Sequence, residues 1–108
     1  MPRQYRQGDI LIVEVSEITR KHKILETRII VEGELTGHAH RLDGDAVLIE
    51  IEGVFDHYDN PTMFIHARGD DVSVTHDEHG SIKLPKGYYK VVRQREYNER
   101  EIFNVVRD

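Results

Sequence analysis

Two short segments place four histidines in close pairs: His38 and His40 in GELTGHAH (33–40), and His76 and His79 in HDEHG (76–80). A neutral imidazole is a borderline nitrogen ligand, and two such pairs make the donor set of a divalent metal ion. On a β-strand, residues two apart point to the same face, so Glu34, Thr36, His38 and His40 share one face, opposite Leu35 and Ala39. A rise of about 3.3 Å per residue sets the two histidine backbones roughly 6 to 7 Å apart, from which both rings reach one ion at about 2.1 Å. The second pair is H-x-x-H, which converges if a turn after Thr75 swings both rings the same way. One condition follows from alternation: His76 is in phase with Val72 and Val74 and should point inward, so His38 and His40 must face that same interior.

The chain has no cysteine, so any metal must be held by nitrogen and oxygen. Zinc, iron, nickel and manganese all suit imidazoles, and ligand type alone does not choose among them. Four bound histidines would form a closed structural site. Three, with water completing the shell, would permit metal-assisted hydrolysis or oxygen chemistry. Glu34 and Glu78 each stand beside a histidine pair and are candidate catalytic residues, as general bases or further ligands. The plain alternative is a polar strand face and a solvated turn, which is how a lone H-x-H usually reads. His22 and His57 lie in polar loops without a paired neighbour.

A second constellation is RQREY (93–97), where Arg93 and Arg95 share a face and Gln94 and Glu96 share the other. Arg95 is a candidate anion contact, since a guanidinium grips phosphate or carboxylate through a planar fork. Arg93 reads instead as a charge on an outer strand that discourages edge pairing.

The elements that must position these residues are short and β-rich. DILIVEV (9–15) is apolar on both faces, as in a buried strand. ILETRIIVEGELTGHAHRL (24–42) reads as one long strand or a pair broken near Gly33. AVLIEI (46–51) follows the turn LDGD, and FDHYDNPT is a loop. MFIHA (63–67) and DVSVTH (71–76) flank RGD, a hairpin turn on this reading. YYKVVRQREY (88–97) is a further strand after LPKG. In all, about seven strands are expected, in a compact all-β sandwich or small barrel. In NEREIFNVVRD, Asn98 as N-cap and Glu101 at the third helical position predict a short C-terminal helix over 98–107, docking through Ile102, Phe103 and Val106.

A chain of 108 residues, 38% hydrophobic and 32% charged, has the size and composition of a single β domain, 1–108. The formal net charge of −5 counts against duplex binding, which needs a clustered basic face. No apolar signal core or membrane-length run is present, so a cytoplasmic location without a membrane partner is expected.

The blocks QGDILIVEV, GELTGHAH and HDEHGSIKLPKGYYKVVRQREY, with the helical tail, resemble a family of small uncharacterised bacterial and phage proteins. Its pattern is G-E-x-T-G-H-x-H followed by H-x-E-H-x-x-I-x-L-P-x-G-x-Y-x-V-x-x-Q-R-E-Y. The resemblance places Glu34, Thr36, Gly37, His38, His40, His76, Glu78, His79, Gln94, Arg95, Glu96 and Tyr97 within the family's pattern and implies no activity. A weaker, architectural similarity to cupins rests on Gly33 with the HAH pair and on Pro85 with Gly87. There the chain departs from the cupin pattern, with Lys90 where the second motif has its histidine. The expected function is therefore metal binding through His38, His40, His76 and His79. The alternative is a metal-free interaction module that works with a protein partner or as a homo-oligomer.

Overall fold

The computed structural model describes residues 2–32, 39–56 and 59–93, and of Val31 and Glu32 only the backbone. Within them the chain forms strands and no helix: β1 (Gln4–Gln7), β2 (Ile10–Val15), β3 (His22–Leu25), β4 (Ile29–Glu32), β5 (Ala39–Asp43), β6 (Ala46–Phe55), β7 (Pro61–Ala67), β8 (Ser73–Thr75), β9 (Ile82–Lys83) and β10 (Gly87–Arg93). Two antiparallel sheets result, a larger one in the order β1-β2-β10-β7-β6-β3 and a smaller one in the order β4-β5-β8-β9. They stack as a sandwich rather than closing into a barrel. The C-terminal helix expected over 98–107 lies outside the described residues.

Alternation builds the main core. Ile10, Ile12, Leu48, Ile65, Tyr89 and Val91 face inward from the larger sheet and meet Ile30, Leu42, Val72, Val74 and Leu84. The outer face of the larger sheet is also apolar, with Ile49, Ile51 and Phe64 packed against Val15, Val47, Val54 and Ile18. Ile18 reaches them because residues 16–21 must run from β2 to β3, which stand second and last in the sheet order. Four inter-strand steps of about 4.8 Å come to roughly 19 Å, against a reach of about 23 to 25 Å for the seven steps from Val15 to His22, so the crossing has only modest slack. This thin cover explains why β2 is less buried than its sequence implies. Ile10 and Ile12 are fully buried, whereas Leu11, Val13 and Val15 are only half-buried.

Several boundaries differ from the sequence reading. The stretch 24–42 contributes to three strands, and these divide between the sheets: β3 joins the larger, β4 and β5 the smaller. One break falls at Thr27–Arg28, where the Thr27 hydroxyl accepts the Ile29 N–H at 3.1 Å and the Arg28 guanidinium donates to the carbonyls of Leu42 and Gly44; the break expected near Gly33 falls between β4 and β5, in residues 33–38, outside the described residues. RGD is not a hairpin turn, because β7 and β8 belong to different sheets. It is a corner of the sandwich, and LDGD is another. The two corners are tied together: the Asp45 carbonyl accepts both Arg68 N–H and Gly69 N–H, at 2.9 and 3.1 Å. Gly44, at φ +94°, is required there, since a Cβ would collide with the Asp71 carbonyl. Finally, β10 is an interior strand between β2 and β7, although its ladder with β7 ends at the Lys90–Phe64 pair, three residues before Arg93.

Candidate functional site

The register of β5 and β8 settles which histidines meet. Leu42 pairs with Val74, both on the core face, so two residues further along His40 faces His76. Their ring centroids are 4.4 Å apart, and His76 lies 4.7 Å from His79. The cluster runs from interior to surface: His40 is 2% exposed, His76 is half-buried and His79 is exposed. His38 and Glu34 lie outside the described residues, as does Arg95. Glu78 is exposed, and its backbone N–H donates to His76 Nδ1 at 3.0 Å.

The larger sheet supplies the other side of the site. Gln7 is opposite Ile10 in the β1–β2 ladder and so points into the core. Its Nε2 donates to the carbonyls of Val74 and Gly80, at 3.0 and 2.7 Å, which leaves Oε1 as an acceptor. His40 Nδ1 therefore donates to Gln7 Oε1 at 2.8 Å. His40 Nε2 lies 2.8 Å from Asp9 Oδ1, in the turn between β1 and β2. If the ring is neutral, its Nδ1–H goes to Gln7 and the Nε2 lone pair faces a carboxylate oxygen. With a proton on Nε2 as well, the same 2.8 Å contact is a charge-assisted hydrogen bond from the ring to Asp9. Burial pushes the His40 pKa below its usual 6.5; the hydrogen bond and charge of Asp9 act against this, while the charges of His76 and His79 lower it further.

Gly8 completes the turn at φ +58°, and a Cβ on it would stand 2.6 Å from His79 Nε2. The imidazole rests on bare backbone, so glycine is needed here both for its conformation and for the space it leaves. Among the described residues, no three His, Asp or Glu side chains already stand as a metal-ligand set. The rings are stacked at tilts of 42° and 44°, and His76 Nδ1 is occupied by the Glu78 N–H. Convergence on one ion would take rotation of the two outer rings, which lie at or near the surface.

Sequence reasoning missed Gln7, Gly8 and Asp9. Their signal was QGD, a two-residue Gly-Asp turn that sets the polar Gln7 opposite Ile10 across a hairpin. The other described histidines stand apart: His22 Nδ1 donates to the Arg20 carbonyl at 2.8 Å, and His66 stacks on Tyr88 at 4.1 Å.

Residues 6–94 match the model of a family described as a domain of unknown function, DUF8820. The chain belongs to the DUF8820 family. The matched span contains Gln7, Gly8, Asp9, His40, His76 and His79, so the whole cluster is part of the DUF8820 domain. No curated protein and no solved structure matches the chain. Among the described residues, no helix is long and apolar enough to cross a membrane.

Proposed function

We propose that this protein is a metal-binding β-sandwich whose ion lies among Asp9, His40, His76 and His79, with His38 as a further ligand. The observation that carries this reading is the gathering of three imidazoles and a carboxylate: Asp9 Oδ1 lies 2.8 Å from His40 Nε2, and the rings of His76 and His79 follow at 4.4 and 4.7 Å. Gln7 acts from behind, fixing the ring so that Nε2 faces outward, as the outer partners of metal-bound histidines do. Imidazoles with one carboxylate suit zinc, iron, nickel or manganese. Because the cluster opens to solvent at His79, the ion would keep a side accessible to water. Glu34 or Glu78 as general base, and Arg95 as an anion contact, would then serve metal-assisted hydrolysis.

A second reading has its own observation. Ile24 on β3 and Phe55 at the end of β6 are 50% and 60% exposed, beside a largely apolar cavity of about 320 Å³ bordered by Ile51, Val54 and Pro61. Strand β3 ends the larger sheet, and an edge with apolar neighbours suits strand addition by a partner or a second copy. This supports a metal-free interaction module.

Elemental analysis of protein purified without a metal-affinity tag separates the two. Stoichiometric metal is expected, lost in His40→Ala and His79→Ala and retained in His22→Ala. If the protein holds no metal and gains no stability from zinc, iron, nickel or manganese, the interaction module is the correct reading.

A further inference from the structure

We infer that the cavity beside Arg93 is a binding site for a small aliphatic carboxylate, independent of the metal reading. Arg93 pairs with Ile10 across the β2–β10 ladder. It is therefore in phase with Tyr89 and Val91, whose side chains are buried in the core. The guanidinium stem enters between the sheets, and its Nε is buried without a hydrogen-bond partner. A buried donor left unpaired is costly and uncommon, and a charged one more so. Edge protection, which needs a charge held out in solvent, does not account for a guanidinium whose Nε is buried.

The surroundings select the partner. The cavity has a volume of about 270 Å³ and is lined by Ile30 of the smaller sheet, Met63 and Val91 of the larger, and by Pro61, Asp56 and Asn60. An Arg Nε–H and a neighbouring Nη–H form a planar fork that matches the two oxygens of a carboxylate. Asp56 Oδ1 accepts the Asn60 N–H at 3.0 Å, which keeps a negative group in the lining. A dianion such as phosphate meets that charge at twice the strength a monoanion does. The apolar walls favour a branched hydrocarbon tail, and the volume, at the lower limit for ligand pockets, restricts the ligand to a few carbons.

Thermal unfolding of the full chain, as purified and after chelation, is followed with acetate, isobutyrate, isovalerate or inorganic phosphate added. Isovalerate and isobutyrate are expected to stabilise more than acetate, phosphate not at all, and chelation to change nothing. Arg93→Lys should weaken isovalerate binding roughly tenfold or more, since lysine keeps the charge and loses the fork. Met63→Phe, which keeps Arg93 and narrows the cavity, should lose isovalerate while retaining acetate, and it decides the matter if Arg93→Lys fails to fold. The assignment is overturned if no carboxylate stabilises the wild type. It is equally overturned if phosphate outperforms isovalerate, or if Arg93→Lys binds undiminished. A response that disappears on chelation would place the anion on the metal ion and refute an Arg93 site, whereas loss of metal alone would bear only on the histidine cluster.

Discussion

Replacing Gln7 with alanine would cut three hydrogen bonds in one step, since the side-chain amide bridges the Val74 and Gly80 carbonyls and His40 Nδ1. The bonds to Val74 and His40 are buried, whereas the Gly80 carbonyl is near enough to the surface to take water. Each buried group left without a partner costs about 1 to 3 kcal/mol, so Gln7→Ala should lose about 2 to 5 kcal/mol. For a domain near this size, about 1 kcal/mol moves the melting temperature by roughly 4 to 8 °C, so a fall of about 10 °C or more is expected. Urea and thermal unfolding in the presence of a chelator measure the loss without any contribution from metal. Gln7→Glu should be at least as damaging, because a carboxylate cannot donate to two carbonyls. A second readout concerns the site itself: without the Nδ1–H acceptor, zinc affinity should drop about 10- to 100-fold. A Gln7→Ala protein within about 0.5 kcal/mol of wild type, the range of an ordinary surface change, would refute the bridging role.

Other expectations follow from the same geometry. Ile12→Asp buries an unpaired charge and should cost several kcal/mol, while Val13→Asp, on the half-covered outer face, should cost about 1 to 2 kcal/mol; equal losses in urea would contradict the facing of β2. Gly8→Ala and Gly53→Ala both force a side chain to positive φ, at about 1 to 2 kcal/mol each. Only Gly8→Ala also displaces His79, since nothing lies near Gly53, so only Gly8→Ala should lower metal affinity in a zinc titration. His66 has its pKa lowered from 6.5, chiefly by burial and then by Arg68, against the opposing charges of Glu17 and Asp45. Between the folded value and 6.5 the unfolded chain holds a proton that the folded chain does not, so stability is complete above 6.5 and falls as the pH drops below it. His66→Phe, which keeps a ring against Tyr88, should flatten that part of the stability-versus-pH curve, and an unchanged slope would mean that His66 is not its source.

The sandwich was legible because its strands alternate or run apolar over short lengths between turn residues. The meeting of His40 with His76 was half legible: the phase of Val72, Val74 and His76 announced an inward histidine, but only the pairing of Leu42 with Val74 supplies its neighbour. What stayed hidden was long-range. Gln7 and His40 are 33 positions apart, and no local period connects a strand-end amide to a distant ring. Corner turns were hidden for a related reason. LDGD and RGD carry the residues of hairpin turns, and whether flanking strands pair or part depends on sheets that form elsewhere. The direction of Arg93 was ambiguous because YYKVVR presents tyrosine, valine and a charge on each face, so alternation favours neither.

The crossing of residues 16–21 over the outer face has a consequence for how the protein behaves among its own copies. The segment has only modest slack, so a deletion of a few residues would pull on β2 or β3. Severing it, by a single proteolytic cut, would leave the backbone ladders of the larger sheet in place yet lift Ile18 from Phe64, Ile49 and Ile51. Those three then form a continuous apolar surface on a sheet face, the kind of surface that seeks another molecule. Limited proteolysis followed by light scattering would register this as self-association without loss of β-structure. The outer apolar face of this fold is thus covered in part by a crossing that belongs to no strand.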